Sequence, residues 1–220
     1  MKMKKNAELN YKKEIFPRDK EQTKKRLRDA VGELLREHGY NGLGVNKIAR
    51  QGQAHKKLIY EYFGTPEHLI EEYIVKNDYW IKYLEKKKEL EQVHKNGSLK
   101  DLIGALLENQ FNFFYNSEDM QKIILWEISE RNTLISSLSR TRELMASNLL
   151  ELTDLHFKDT NVNFRALSAI MVSSIYYLVL HAKSTDSTFC EINIRSEEGM
   201  KEIMGMINLM LDWAFDQGNK

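Results

Sequence analysis

The stretch VNKIARQGQAHKKLIYEYF, residues 45–63, decides how the rest of the chain is read. It holds two short apolar-patterned segments separated by a small-residue turn. At about 100° per residue, Val45, Ile48 and Ala49 share one side of a short helix, while Asn46, Lys47 and Arg50 share the other. Gly52 and Gln53 make the turn, and a second short helix is predicted from His55 to Phe63. On its wheel Ile59, Tyr62 and Phe63 define the buried side, which leaves Lys57, Tyr60 and Glu61 facing out. Leu58 falls between the two sides. This is the pattern of a helix-turn-helix.

Upstream, Asp19 with Gln22 forms a capping box, and Leu27, Val31, Leu34, Leu35 and His38 then make one stripe of an amphipathic helix that Gly39 ends. Residues 1–17, lysine-rich and closed by Pro17, are expected to form a flexible basic arm. Downstream, Thr65-Pro66-Glu67 is a strong helix start: a threonine cap, proline at the first helical position, then an acid near the positive dipole end. That helix is predicted to carry Leu69, Ile70, Tyr73, Ile74, Trp80, Ile81 and Leu84 and to fade in the charged run Glu85–Glu91. Further helices open at Ser98, Ser117, Thr133, Asn163 and Ser196. No stretch shows sustained period-2 alternation, so the fold class is all-α, with about nine helices by capping and period. The organisation read from this is an arm over 1–17, a helix-turn-helix domain over 18–66 and a larger helical domain over 67–220.

Composition narrows the class. Hydrophobic residues make up 42% of the chain, enough for a core, and charged residues 30%, which points to a soluble protein. The apolar run Ala169–Ala182 is broken by Ser173 and Ser174 and counts as too short for a bilayer, so no membrane partner is expected. The lysines of the N-terminus have no apolar stretch behind them, and Cys190 is the single cysteine; both suit a reducing cytoplasm. Of 33 Lys and Arg and 32 Asp and Glu, residues 1–60 hold 16 and 7. A basic front on an acidic body suits a protein that presents one end to nucleic acid, because neutralising phosphates supplies most non-specific affinity.

The run from Gly39-Tyr40 through Ile48-Ala49 to Leu58-Ile59-Tyr60-Glu61-Tyr62-Phe63 and Thr65-Pro66-Glu67-His68-Leu69 resembles the signature of the tetracycline-repressor (TetR/AcrR) family of bacterial transcription regulators. The resemblance covers residues 20–70, with no gap from Ile48-Ala49 to Tyr60 and Phe63. It departs at three places. The turn glycine expected at position 53 stands at Gly52, His55 occupies a position that usually holds a small cap residue, and Pro66 replaces the lysine usual at the start of the fourth helix, where His68 is the available substitute. The resemblance implies that Lys56, Lys57, Leu58 and Glu61 read bases and that Tyr60 holds phosphate. By residue chemistry, lysine donates to guanine O6/N7 or to phosphate, Glu61 accepts from cytosine N4, and Leu58 meets a thymine methyl. Lys47 and Arg50 on the preceding helix are expected to position the backbone of double-stranded operator DNA, with His55 and His68 beside them.

Other chemistries find little in the chain. Glu91 and His94 have the spacing of one half of a di-iron site, which needs that pair twice. No phosphate-binding loop, nucleophile elbow or zinc-protease motif occurs, so neither a cofactor, a metal nor an enzymatic role is expected. The last helix carries two apolar stripes, Met200, Ile203, Met204, Ile207 and Leu211 on one side and Met206, Leu209, Met210 and Trp213 on the other. A helix apolar on two sides must be covered twice, so a homodimer is expected, with the first stripe taken as the interface. The resemblance further implies a repressor whose body holds a small apolar or aromatic effector, for which Phe111, Phe114, Trp126, Met145, Met171 and Tyr176 are candidate lining. Two other readings stay open: a DNA-binding dimer whose body senses no ligand, and a helical enzyme without a recognisable motif.

Overall fold

Glycine and capping residues cut this lysine-, glutamate- and leucine-rich chain into helices, and apolar stripes gather them into two units. The computed structural model describes the backbone of residues 2–84 and 98–218, with side chains from residue 20 onward except at Leu84 and Asn148. The Glu91/His94 pair and the charged run Glu85–Glu91 lie outside the described residues. Among those described there are ten α-helices, one 3-10 turn and no strand.

The first unit is Met1–Asn77. It comprises α1 (Lys2–His38), a 3-10 turn (Tyr40–Gly42), α2 (Val45–Gln51), α3 (Lys56–Phe63) and α4 (Pro66–Asn77). Helix α1 begins well before the expected cap at Asp19 and runs through the segment read as an arm. The five lysines and two glutamates of residues 1–17 favour helix. From residue 20 onward the expected stripe is buried at Leu27, Val31, Leu34 and Leu35, whereas His38 at the last turn is exposed. Gly39 ends α1 with a φ of 62°, a conformation glycine adopts without penalty. Across from α1, Leu69, Ile70, Tyr73 and Ile74 of α4 are buried in the same unit. A Cβ at Gly32 would fall 2.1 Å from the Tyr73 hydroxyl, so the glycine on α1 makes room for the end of the Tyr73 ring from α4. The division of the chain therefore falls after Asn77 rather than after residue 66, because α4 spends its apolar face on α1 and α3.

The second unit is Asp78–Lys220. It comprises α5 (Tyr79–Leu84), α6 (Leu99–Asn116), α7 (Glu118–Ser129), α8 (Thr133–Phe157), α9 (Phe164–Ser184) and α10 (Glu197–Gly218). Side-chain caps start most of them: Ser98 for α6, Ser117 for α7, Asn132 for α8 and Asn163 for α9, each accepting from a backbone N–H two or three residues on. Helix α6 packs on both α9 and α10. Phe157 stacks on Phe164 at 4.6 Å between ring centroids, with Phe215 of α10 edge-on to both. Helix α9 extends beyond the run Ala169–Ala182 to 21 residues, which by length and composition alone would be enough to cross a membrane. Here it buries Met171, Ile175, Leu178 and Val179 in the unit's own core.

One helix expected to run on from Pro66 to Leu84 is two. The break is at Asp78, whose Oδ1 accepts from the Ile81 N–H at 3.1 Å and caps α5, while its Oδ2 accepts from Arg142 Nε at 2.7 Å.

Candidate nucleic-acid interface and interior cavity

Helix α3 is anchored by Ile59 and Phe63, both buried, and presents Lys56, Lys57, Tyr60 and Glu61 to solvent, with Tyr60 half exposed. Leu58 is partly buried at the rim. Tyr62 is also only partly buried, and the Lys20 ammonium lies 5.2 Å from its ring centroid. A second α1 lysine, Lys24, sits 5.8 Å from the Phe63 ring, so cation–π contacts tie α1 to the end of α3. Neither contact can be read from the sequence, because both cross from one helix to another.

His55 is the N-cap of α3, its Nδ1 accepting from the Lys57 N–H at 3.3 Å. A ring nitrogen here does the work of the small oxygen-bearing residue more usual at a cap, and it leaves the exposed imidazole beside Lys56 and Lys57. On α2, Lys47 and Arg50 are exposed, and Lys47 Nζ donates to the Asn41 carbonyl at 3.3 Å. Gln51 Nε2 donates to Glu33 at 2.6 Å and ties α2 to α1. His68 is exposed in the first turn of α4, and its N–H donates to Thr65 Oγ1 at 3.1 Å. All eight charged or polar residues expected at a DNA surface are thus exposed on the first unit.

The turn between α2 and α3 assigns its two residues different tasks. Gly52 has an ordinary φ of −75° but little room, since a Cβ there would sit 3.0 Å from Leu27 Cδ2. Gln53 takes the left-handed conformation, with φ 49°. Its exposed side chain makes no packing contribution to lose. Gln53→Gly is therefore expected to stabilise the protein by about 1 kcal/mol, raising Tm by about 2–4 °C. Thermal denaturation reads this directly; an unchanged or lower Tm would contradict the assignment of strain to this residue.

The second unit contains a cavity of about 280 Å³. Its apolar wall includes Ile103, Leu106, Leu149, Leu150 and Val172, and its polar end includes Trp80, Glu127, Arg142 and Tyr176. Of the residues expected to line it, Met171 and Tyr176 do so; Phe111, Phe114 and Trp126 are buried but do not border it, and Met145 on α8 is partly buried and outside the lining. The aromatic stripe of α6 packs inward: Phe114 meets Tyr176 edge-on at 4.8 Å.

Beside Tyr176, the polar end is built by charged groups that helical period alone does not single out, Arg142 and Glu127. Arg142 donates to Asp78 at 2.7 Å and makes a short ion pair with Glu127, which also accepts from Ser139 at 3.0 Å. Burial works against the charge of Arg142, but Asp78 and Glu127 outweigh it and hold the guanidinium above its usual range. Trp80 Nε1 donates to the Tyr176 hydroxyl at 2.7 Å. Burial pushes the Tyr176 phenol up to about 12, so it stays neutral. A signal for Arg142 was present: it continues the stripe of Ile135 and Leu138 on α8, where an unpaired charge is not tolerated.

The expected dimer stripe also resolves differently. Ile207 and Leu211 are buried in the unit's own core, and Met200, Ile203 and Met204 pack against that core. The other stripe is the open one, with Met206, Leu209 and Trp213 each more than half exposed. Ile170 and Tyr177 on α9 are open in the same way. Which stripe faces inward depends on where α6 packs, which period alone does not say. Among the described residues no group of three or more His, Cys, Asp or Glu could hold a metal ion.

Residues 27–73 match the family described as bacterial regulatory proteins, tetR family. Similar solved structures include a transcriptional regulator FadR from Bacillus subtilis in complex with stearoyl-CoA, 15% identical, covering 87% of this chain and 97% of that one with a TM-score of 0.60. A putative fatty acid metabolism regulator from Clostridium perfringens is 17% identical, covering 84% and 96% with a TM-score of 0.62. The fatty acid degradation regulator FadR from Bacillus halodurans is 15% identical, covering 86% and 94% with a TM-score of 0.61. At these identities the likeness is one of fold. No curated protein matches the chain.

Proposed function

We infer from membership in the tetR family of bacterial regulatory proteins, to which this chain belongs through residues 27–73, that it is a repressor binding a palindromic operator as a homodimer and released by a small molecule held in its second unit. The observation that carries the DNA reading is α3. Its apolar side is buried at Ile59 and Phe63, and its open side offers two lysines, a tyrosine and a glutamate. That is a donor and acceptor set suited to base edges and phosphates, on a helix short enough to enter a major groove. One such helix meets too few base pairs for specificity, and a two-fold pair doubles them. The test is a fluorescence-anisotropy titration with duplexes from the region upstream of the gene itself. Specific binding should favour a palindrome and weaken steeply with salt; equal affinity for every duplex would reject an operator-specific role.

The homodimer is supported by the open apolar residues Ile170, Tyr177, Met206, Leu209 and Trp213 on α9 and α10. A second copy covers such faces with the same faces of its own. Leu209→Glu combined with Trp213→Glu is expected to give a folded monomer, because neither side chain is part of the protomer core. Sedimentation velocity reads the change in mass. A dimer that survives the pair of substitutions would move the interface elsewhere.

The effector reading rests on the cavity of about 280 Å³. One structure with this fold holds stearoyl-CoA, and an acyl chain is chemically suited to a wall of Ile103, Leu106, Leu149 and Leu150. The volume is just below the roughly 300–1,000 Å³ usual for ligand sites, which favours a compact apolar molecule. Release requires the effector to favour one arrangement of the dimer by its own binding energy. Asp78 is the natural joint, since it is the residue after α4 and is bonded to Arg142 at the cavity.

A further inference from the structure

If the cavity is the effector site, as proposed above, the wiring of Arg142 determines what chemical class it takes. Arg142 is 9% exposed, and two of its three nitrogens are engaged, Nε by Asp78 and Nη1 by Glu127. The third, Nη2, is buried and meets no hydrogen-bond acceptor among the described residues. A buried guanidinium N–H without an acceptor is unfavourable, and Arg142 lines the same cavity as Leu149, Leu150 and Met171. An acceptor brought in at the head of an apolar molecule would relieve it.

The charges around that nitrogen restrict the acceptor. Two carboxylates, Asp78 and Glu127, already face the one guanidinium, and Glu143 also lines the cavity. The other cation of the lining, Arg165, is held by both oxygens of Asp154 at 2.6 to 3.1 Å. The polar end therefore carries a surplus of negative charge. An entering carboxylate would give up its water to meet a cation that is already neutralised, with Glu127 beyond it. A carbonyl oxygen accepts from Nη2 without that repulsion. We propose that the cavity selects an uncharged apolar molecule bearing one carbonyl-type acceptor, seated on Arg142 Nη2, over the corresponding anion.

Calorimetric titration of the full chain with 2-decanone and with decanoate tests this. In the wild type the ketone is expected to bind at least about tenfold more tightly than the acid of equal length. Glu127→Gln keeps the Asp78–Arg142 pair but removes the surplus charge, so the ratio should move toward decanoate by about tenfold. A purely structural role for Arg142 would leave that ratio where it was. Decanoate binding as tightly as 2-decanone, or a ratio unmoved in Glu127→Gln with the fold intact by circular dichroism, would overturn the proposal while leaving the cavity as an apolar binding site. If neither probe binds either protein, the effector reading falls with it.

Discussion

Replacing Lys57 and Tyr60 together by alanine is expected to abolish specific DNA complexes while leaving the fold and the dimer unchanged. Both side chains point away from the core of the first unit; Tyr60 is 50% exposed and Lys57 is fully on the outer side of α3. Helix α3 would keep its anchors, Ile59 and Phe63, and its His55 cap, because that bond is made by the backbone N–H of residue 57 rather than by the lysine side chain. Each lost base or phosphate contact is worth roughly 1–3 kcal/mol, so the pair should weaken binding by about 100-fold or more per reader helix. Loss of a phosphate contact also lowers the salt slope by about 0.9 for each contact removed. Anisotropy titrations at several salt concentrations give both quantities. Unchanged affinity in the double variant would sink α3 as the reading helix.

The second large effect is expected at Arg142. Arg142→Met removes the cation from between Asp78, which has no exposed surface, and Glu127. Breaking a buried pair by removing one partner costs about 3–5 kcal/mol, because the other charge stays buried without compensation. For a chain of this size that lowers Tm by roughly 6–20 °C. Adding Asp78→Asn and Glu127→Gln to the same protein should recover most of the loss, since a buried ionic cluster replaced as a whole by neutral groups is often near neutral in stability. Differential scanning calorimetry of the single and triple variants separates the two cases. If the single variant melts within a degree or two of the wild type, the triad is not what holds α5 to α8.

Much of the first unit was legible because its signals are local. The stripe of α1 from Leu27 to Leu35, the start of α4 at Thr65-Pro66-Glu67 and the two sides of α3 all follow from helical period and cap chemistry over a few residues. Asn163 and the two serines before α6 and α7 announced their helices for the same reason. The misplacements have a different origin. By helical period Asp78 is one more position in a long helix, because its bonding partner at the break, Arg142, lies 64 residues away. At the turn, Gln53 takes the left-handed conformation, while the glycine at position 52 is needed for room beside Leu27 of α1, a contact 25 residues away that no local pattern shows.

Local sequence is enough for the helical class, for a basic helix-turn-helix at the front of the chain and for the side chains that α3 turns outward, since each depends on neighbours within about two turns of helix. Tertiary structure alone decided which apolar stripe of α10 stays open, which of the interior residues border a cavity, and that a buried arginine with one uncommitted nitrogen stands at its polar end. Those are properties of helices meeting one another. A hydrophobic period states that a face must be covered, but the choice of what covers it, and the gaps and ion pairs left where the fit is incomplete, arise only when distant segments pack.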